Sequence, residues 1–314
     1  MAIKVDNSII VVLSVYNGNK YLQKQIDSFS SQSHTSFYLI ARDDGSSDKS
    51  KEILVSNGID LLSSDRNVGV KKSFSFLLEH ALKKTNSEYF MFSDQDDIWD
   101  DKKIEKTFNK MKEMESKYPN MPLLVHTDLE VVDENLKTIA NSFWHFENID
   151  PSYNAFNRLL MQNTITGCTV MINRKLAELA LPIPDEAIMH DWWIGLVASM
   201  FGKIAYVNEP LIKYRQHGGN SIGAKGFSYL AIWIKFYKIF VKNELYIKHL
   251  LINVSQAKAF LARYRNVLDK DSVTMLEEFT TIGSKSFLQK RKILVKHKLL
   301  KQGIFRNIGL LLKI

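Results

Sequence analysis

The first 120 residues of the chain alternate between short apolar runs and segments in which apolar residues recur at helical spacing. Ile9–Val15 is a β-branched run, Leu22, Ile26 and Phe29 then mark one face of a helix, and residues 37–41 form the next apolar run. Strands that are apolar on both faces predict a parallel sheet covered by helices on both sides. The chain is therefore expected to be an α/β protein built on a mostly parallel sheet flanked by helices.

The same alternation continues to residue 92. We predict a helix from Ser47 or Asp48 to about residue 57, then a strand at 59–62, a helix at 73–82 and a strand at 89–92. The polar segments "YNG", "RDDGSSD" and "SDQDD" each follow one of the predicted strands. Because ligands of such sheets bind at the carboxyl ends of the strands, these three segments should meet at one edge of the sheet.

From Pro122 onward the pattern is mixed. "LLVHTDLEVVD" has the character of strand pieces, and "TGCTVMINRKL" predicts a strand that leads into a helix. "HDWWIGLVASMFG" predicts a helix that Asp191 can cap and that Gly202 ends. "KIAYVNEPLIKYRQH" predicts two short strands.

Five acids lie within eight residues directly after the strand at 89–92: Asp94, Asp96, Asp97, Asp100 and Asp101. Asp100 or Asp101 can cap the helix that follows, where acids are favoured by the helix dipole. That explanation does not account for the first three, which precede Trp99. Carboxylates are ligands for Mg²⁺ and Mn²⁺, and residues two apart in an extended chain point to the same side. We therefore expect these three acids to form a metal or nucleotide site.

Charge divides the chain into two parts. The formal net charge of the 314 residues is +8, but residues 1–226 hold 25 Lys and Arg against 29 Asp and Glu, whereas residues 227–314 hold 17 against 5. We expect a domain at 1–226 and a separate basic helical extension at 227–314. Cys168 is the only cysteine, which excludes an internal disulfide and suits a reducing compartment such as the cytoplasm. No signal peptide is visible.

The basic extension is expected to lie on a membrane surface. Lys235, Lys238 and Lys242 recur at helical spacing among aromatic and aliphatic residues, and residues 285–314 carry nine Lys and Arg and no acid. Neither segment has the apolar length of a membrane span, but both suit the anionic inner face of the plasma membrane. The alternative is a homodimer formed through these helices. A nucleic-acid partner is not expected, because no nucleic-acid-binding motif is present.

The ordered motifs resemble those of a known enzyme family. "VVLSVYNGNKYLQKQIDSFSSQS", "RDDGSSDKS", "DRNVG" and "SDQDDIW" are similar to the successive motifs of family 2 glycosyltransferases, inverting enzymes of the glycosyltransferase-A fold that use nucleotide-sugar donors. With the later "TGCTVMINRKL", "HDWW" and "YRQHGGN", the chain is similar to bacterial rhamnosyltransferases that build surface polysaccharides. The resemblance spans residues 8–221, and it implies a Rossmann-like nucleotide-diphospho-sugar transferase domain at 1–226.

The resemblance implies roles for residues near the nucleotide. Asp43 would accept the imide N–H of the base, and Asp44 would lie beside the ribose. The alternative for both is a turn, since Asp, Gly and Ser favour turns. The remaining residues implied for nucleotide binding are Tyr16 and Asn17 beside the base, Arg66 and Asn67 in a loop near the phosphates or base, and Asp94. Tyr16 packed in the core and Gly69 as a simple turn are the alternatives in those two segments.

The resemblance also implies a metal site and a catalytic base. Asp94 and Asp96 match the Asp-x-Asp of the family, with Asp96 as the direct ligand of Mn²⁺ or Mg²⁺. His217 would be a third metal ligand or contact the leaving group. Asp191 matches the catalytic base, although His190 stands where the family often has Glu. A helix cap is the alternative role for Asp191, and a helix N-terminus would weaken its basicity.

A last group of residues is implied to contact the diphosphate or the acceptor. Arg215 would neutralise phosphate charge, and Thr166 and Gly167 would lie near the sugar or acceptor. Trp192 and Trp193 offer faces on which a sugar can stack, with one of them expected in the core.

The expected activity is a metal-dependent, inverting transfer of a sugar to a hydroxyl of a polysaccharide or lipid-linked acceptor, with dTDP-L-rhamnose as the first choice of donor. One alternative is a nucleotidyltransferase of similar fold, for which "YNGNKYLQKQ" is a poor phosphate loop. The other is a catalytically inactive scaffold on the membrane.

Overall fold

The computed structural model describes residues 9–217 and 243–314. The predicted helix that carries Lys235, Lys238 and Lys242 lies outside these residues.

The described chain contains nine strands that form one sheet. They are β1 (Ile9–Val15), β2 (Phe37–Asp44), β3 (Asp60–Ser64), β4 (Tyr89–Ser93), β5 (Ile98–Trp99), β6 (Leu123–Val132), β7 (Thr138–Ala140), β8 (Met171–Asn173) and β9 (Lys203–Arg215). The strand order is β3-β2-β1-β4-β8-β6-β9-β5, and β7 pairs with β6 at its side.

The helices of the described chain follow the predicted alternation in the first half. They are α1 (Leu22–Ser30), α2 (Ser50–Ser56), α3 (Val70–Lys84), α4 (Lys103–Lys117), α5 (Phe143–Glu147), α6 (Phe156–Leu159), α7 (Arg174–Ala180), α8 (His190–Phe201), α9 (Asn243–Tyr264), α10 (Lys270–Thr280), α11 (Phe287–Lys296) and α12 (Ile304–Lys313). None of the helices described here has the length and hydropathy needed to cross a bilayer.

The sheet is parallel in the part formed by β1 to β4, the strands predicted from the first half of the sequence. β1 pairs in parallel with both β2 and β4, and β2 pairs in parallel with β3. β8 joins antiparallel to both β4 and β6, so the sheet as a whole is mixed. The predicted α/β class is confirmed, and the carboxyl ends of β1, β2 and β4 point to the same edge.

Four predictions of local structure are wrong. The N-cap of α2 is Lys49, not Ser47 or Asp48, and the N-cap of α4 is Lys102, not Asp100 or Asp101.

Residues 203–215 form one long strand, because β9 pairs along β6 through two register shifts on either side of the pair Asp128 and Pro210. The helix of the "HDWW" segment begins at His190, one residue before Asp191, and its N-cap is Met189. Asp191 therefore lies inside the first turn and does not cap the helix.

The core has one layer on each face of the sheet. Alternate residues of β1 separate between the layers: Ile10 and Val12 pack with Phe74 and Trp193, whereas Val11 packs on the opposite face with Leu22. This is the side-chain period of two expected of a buried strand.

The C-terminal helices belong to the first of these layers. Their buried side chains Leu250, Phe260, Leu276, Leu294 and Leu310 form one continuous apolar cluster with Phe156 and Trp193. The described part of the basic extension therefore packs against the sheet domain, and its apolar residues are only partly available to a partner.

Candidate active site

A cavity of about 690 Å³ opens where the three polar segments meet. Its wall includes Tyr16 after β1, Asp44 at the end of β2, and Asp94 and Asp96 after β4, and α8 adds Asp191. The parallel register of β1, β2 and β4 brings Tyr16, Asp44, Asp94 and Asp96 together, although Tyr16 and Asp96 are 80 positions apart in the chain. The predicted convergence at the strand ends is observed.

Three carboxylates repel one another inside this cavity. The pKa of Asp94 is raised to about 7, first by burial and then by the charges of Asp96 and Asp191. The Oδ2 atom of Asp96 lies 2.7 Å from Nε2 of His217. Of the three residues expected to hold a metal, Asp96 and His217 are in direct contact, and Asp94 is close enough for the charge of Asp96 to act on it.

The donor set suits a hard or borderline divalent ion. Two carboxylates and one imidazole are ligands of Mn²⁺ in proteins, and carboxylates are also ligands of Mg²⁺. A cation bound there would relieve the repulsion that raises the pKa of Asp94. The residues present therefore fit the metal that the motif implies.

Asp97, which the sequence grouped with Asp94 and Asp96, lies behind the cavity. It is 1% exposed, and its Oδ1 atom accepts a hydrogen bond from the backbone N–H of Arg215. Ligand atoms of Asp94, Asp97 and Cys168 lie within 4.8 Å of one another, but Asp97 and Cys168 do not line the cavity wall. Burial raises the pKa of Asp97, so this carboxyl group supports the loop from the interior.

Asp191 has the environment of a base. Its Oδ1 atom accepts from the backbone N–H of Trp192 at 2.7 Å, and its Oδ2 atom accepts from Nδ2 of Asn163 at 3.3 Å. Burial raises the pKa of Asp191 to about 6, and these hydrogen bonds only partly oppose it. The expected weakening by the helix N-terminus is therefore outweighed, and the carboxylate can hold a proton near neutral pH.

His190, which precedes Asp191, is a neutral part of the cavity wall. Burial lowers its pKa to about 3, and its ring packs 4.1 Å from the ring of Phe74. A Cβ atom at Gly167 would lie 2.7 Å from Nε2 of His190. Glycine at position 167 thus allows the turn that carries Thr166 to approach Asp191.

The two acids of the "DDGSSD" segment have different roles. Asp44 accepts hydrogen bonds from the backbone N–H groups of Val68 and Gly69 and from Arg42, so it holds the loop that contains Asn67. This loop needs Gly69, whose φ is +82°. Asp43 accepts only a 3.3 Å hydrogen bond at Oδ2 from Ser46, and its buried Oδ1 has no hydrogen-bond partner among the described residues.

The remaining nucleotide-site candidates divide between the cavity and its rim. Tyr16 and Asn67 line the cavity, whereas Arg66 lies outside its wall with an exposed side chain. Asn17 has a φ of +49° and accepts at Oδ1 from the backbone N–H of Ser47, which joins the first two polar segments. Tyr16 is half-exposed, so the alternative of a core position for its ring is wrong.

The acceptor-side candidates also divide. Thr166, Gly167 and Trp192 line the cavity, with Nε1 of Trp192 held by the carbonyl oxygen of Leu159, while Trp193 is in the core. Arg215 is 1% exposed and donates to the carbonyl oxygens of Asp96 and Glu134. Its guanidinium therefore stabilises the loop of Asp96 from the protein interior. The predicted contact of Arg215 with a phosphate is not what this buried position favours.

Three residues of the site were not found from the sequence. Gln95 pairs with the backbone of Tyr16 through both its amide oxygen and its amide nitrogen, and Asn163 orients Asp191. Lys301 reaches the cavity from the C-terminal part of the chain. Gln95 could have been predicted as a site residue, because it lies inside the motif "SDQDD". No local sequence pattern predicts a role for Asn163 or Lys301.

Comparison with known proteins agrees with this geometry. The family profile described as "Glycosyl transferase family 2" matches residues 10–178. An uncharacterized glycosyltransferase of Haemophilus influenzae is 30% identical over 248 residues, which cover 75% of this chain and 88% of that relative.

Solved structures share the fold at low sequence identity. TarS 1–349 of S. aureus in complex with UDP-GlcNAc superposes with a TM-score of 0.56 at 14% identity, covering 92% of this chain and 80% of TarS. The mannosyltransferase PcManGT of Pyrobaculum calidifontis, in complex with GDP-Man and Mn²⁺, gives a TM-score of 0.50 at 11% identity, covering 94% and 88%.

Proposed function

The chain belongs to glycosyl transferase family 2, and from this premise we propose that it transfers a sugar from a nucleotide-sugar donor to an acceptor hydroxyl with inversion at the anomeric carbon. The observation that carries the mechanism is the placement of Asp191 in one cavity with Asp94 and with Asp96, whose carboxylate contacts His217. A base and a metal-binding group on one cavity suit a single displacement.

In this reaction Asp191 accepts the proton of the acceptor hydroxyl as its oxygen attacks the anomeric carbon. The glycosidic bond forms as the bond to the nucleotide diphosphate breaks, so no enzyme-linked sugar is needed. Asn163 holds the carboxylate of Asp191 in place. A Mn²⁺ or Mg²⁺ ion held by Asp96, Asp94 and His217 would supply neutralising charge for the diphosphate. PcManGT, with GDP-Man and Mn²⁺, supports this choice of metals.

The nucleotide is proposed to bind along the segments after β1 and β2. Asp43 is buried beside Asp44 and does not line the cavity wall, but its Oδ1 atom has no hydrogen-bond partner among the described residues, and we propose that it accepts the imide N–H of a uracil or thymine base. Tyr16 then offers its exposed ring to the base, and Asn67 lines the same side of the cavity. We propose dTDP-L-rhamnose as the donor, from the resemblance of the motifs, and a polysaccharide or lipid-linked glycan as the acceptor.

The test of this function is nucleotide release from a panel of UDP-, GDP- and dTDP-sugars, with and without Mn²⁺ or Mg²⁺, in the presence of lipid-linked acceptors. We expect release with one donor class that requires the metal. Formation of a nucleotide sugar from a nucleoside triphosphate and a sugar phosphate would instead identify a nucleotidyltransferase. A protein that binds donors but turns over none would be an inactive scaffold.

We also propose that the C-terminal helices dock on an anionic membrane at the cytoplasmic face. α11 and α12 expose large apolar side chains: Leu288 is 75% exposed, Ile304 73% and Leu312 61%. The two helices are joined by Arg291, which donates to the carbonyl oxygen of Ile314. Exposed Lys285, Lys292 and Lys298 lie on the same segment, and exposed apolar groups among lysines suit an anionic lipid surface.

We expect the double substitution Leu288→Asp and Ile304→Asp to remove most of the binding to anionic liposomes, because it replaces the exposed apolar contacts with charges that repel the lipid. Flotation measures the recovered fraction. Val55→Asp and Ile139→Asp, at exposed apolar positions elsewhere, form the matched control and should float like the wild type. Equal flotation of both double variants would contradict membrane docking, and light scattering would then test these helices as a dimer interface.

A further inference from the structure

Lys301, which lies in the C-terminal part of the chain, places a positive charge on the wall of the cavity that contains Asp94, Asp96 and Asp191. It is half-buried and lines the cavity wall together with Phe143, Ile149, Met161 and Gln162. The other charged residues of that wall are the carboxylates Asp44, Asp94, Asp96 and Asp191. Among residues 9–217 and 243–314, Lys301 is thus the one cation of this wall, and it lies among apolar and amide side chains.

The segment around Lys301 is held firmly in this position. Gln302 donates from its backbone N–H to Oε1 of Gln162, and its side-chain amide bonds both the N–H and the carbonyl oxygen of Asp150. Asn307 bonds both backbone groups of Lys301. Arg306 donates to the carbonyl oxygens of Glu147 and Asn148. The backbone of Lys301 is thus anchored to the loop at 147–162.

Among the residues that the structure describes, no acidic side chain forms an ion pair with the ammonium group of Lys301. The structure shows no hydrogen bond or ion pair of its Nζ atom with any residue in 9–217 or 243–314. Burial lowers the pKa of Lys301, and the positive charge of Arg306 lowers it further. A cation that is partly desolvated without a counter-charge gains free energy when an anion arrives.

Lys301 lies on the side of the cavity that belongs to the acceptor. Gln162 holds the Lys301 segment, and the next residue, Asn163, holds the carboxylate of Asp191. The proposed base must contact the acceptor hydroxyl, so a group bound near Gln162 belongs to the acceptor.

We propose that Lys301 forms an anion subsite in the acceptor half of the cavity and that the acceptor carries a phosphate group close to the hydroxyl that receives the sugar. This inference rests on the proposed function and specifies the acceptor class. The phosphate has two chemical sources, the carrier of a lipid-linked glycan or the phosphodiester backbone of a polymer. The apolar side chains of Phe143, Ile149 and Met161 beside Lys301 suit an alkyl phosphate.

Binding of simple phosphates to the full chain tests this subsite. Calorimetry in chelator and without donor uses inorganic phosphate, glycerol 3-phosphate and geranyl phosphate. We expect all three to bind, and Lys301→Met to weaken each by about tenfold or more, because a charge-assisted hydrogen bond is lost. Lys301→Arg should retain most of the affinity. Lys84→Met, an equal charge change at an exposed lysine in the last turn of α3, is the matched control and should bind as the wild type does.

The three probes distinguish the sources of the phosphate. Tighter binding of geranyl phosphate supports a lipid carrier, and tighter binding of glycerol 3-phosphate supports a polymer backbone. Lysine acetylation of the wild-type protein gives a second readout that needs no variant. Geranyl phosphate should protect Lys301 but not the exposed Lys84, as read by peptide mass spectrometry. Unchanged acetylation of Lys301, or equal phosphate affinity of Lys301→Met and the wild type, overturns the subsite.

Failure of this subsite and failure of the proposed function have different signatures. If the wild-type protein turns over a donor but Lys301→Met binds phosphate as tightly as the wild type, only the subsite is contradicted. A protein that binds phosphate through Lys301 but releases nucleotide from no donor supports the subsite and contradicts the function.

Discussion

Asp191→Asn should lower kcat by about 10²–10⁴-fold, the contribution expected of a positioned general base, while donor affinity stays close to that of the wild type. The asparagine side chain keeps an oxygen that can accept from the backbone N–H of Trp192, so α8 should keep its first turn. It cannot accept a proton from the acceptor hydroxyl. Turnover and calorimetric donor binding, measured on the same preparation, separate these two effects.

The control for this substitution is Asp271→Asn, the same chemical change at an exposed position of α10. It should leave kcat unchanged. If Asp191→Asn binds donor and turns over normally, the carboxylate of Asp191 is only a part of the cavity wall and another residue must accept the proton.

The pH profile gives an independent check on the same base. Asp191 must be deprotonated to accept a proton, and its pKa is raised to about 6. At saturating metal, kcat/KM should therefore be constant above this pKa and fall roughly tenfold per pH unit below it. The residual activity of Asp191→Asn should lack this limb of the profile.

Asp96→Asn should remove metal-dependent transfer, with a loss of about 10³-fold or more in turnover at moderate Mn²⁺, because a metal ion contributes several kcal/mol of charge stabilisation. Asparagine keeps the shape of the side chain but loses the charge that balances the cation. His217, whose Nε2 lies 2.7 Å from Asp96, should also contribute to metal affinity. Titration of turnover with Mn²⁺ gives the apparent Kd of the metal for the wild type and for Asp96→Asn.

Asp101→Asn is the matched control for Asp96, because it changes a neighbouring acid of the same run that is exposed and lies outside the cavity wall. Its metal titration should coincide with that of the wild type. A wild-type enzyme with full activity in chelator would contradict the metal site, and the acid cluster would then serve the nucleotide alone.

Much of the first half of the fold could be predicted because its signals are local. The runs at β1, β2 and β4 are apolar on both faces, and each polar segment follows its strand directly. Parallel pairing then brings the strand ends together whatever lies between them. Tyr16, Asp44, Asp94 and Asp96 were placed in one cavity by this argument, and the structure places them there.

Predictions failed where two local signals compete. Asp191 has the residue type of an N-cap, but the helix begins one residue earlier, because His190 packs against Phe74 and Phe92 and continues the helix into the core. The segment "KIAYVNEPLIKYRQH" was predicted to form two short strands, but pairing with β6 continues β9 through Pro210. In both cases contacts with residues distant in the chain outweigh the local preference.

By itself the sequence determined the α/β class, the order of the polar segments along one sheet edge, and the family, since these depend on periodicity and motif order. Only the tertiary structure decided which polar groups are already engaged. Asp44 accepts from two backbone N–H groups and from Arg42, and Arg215 donates to two backbone carbonyl oxygens. Asp43, in contrast, has an oxygen without a partner among the described residues, and burial raises the pKa of Asp191. Lys301 reaches the cavity from the connection between α11 and α12, 110 residues beyond Asp191. Burial and the competition for hydrogen-bond partners depend on the whole packed chain, and no local pattern contains them.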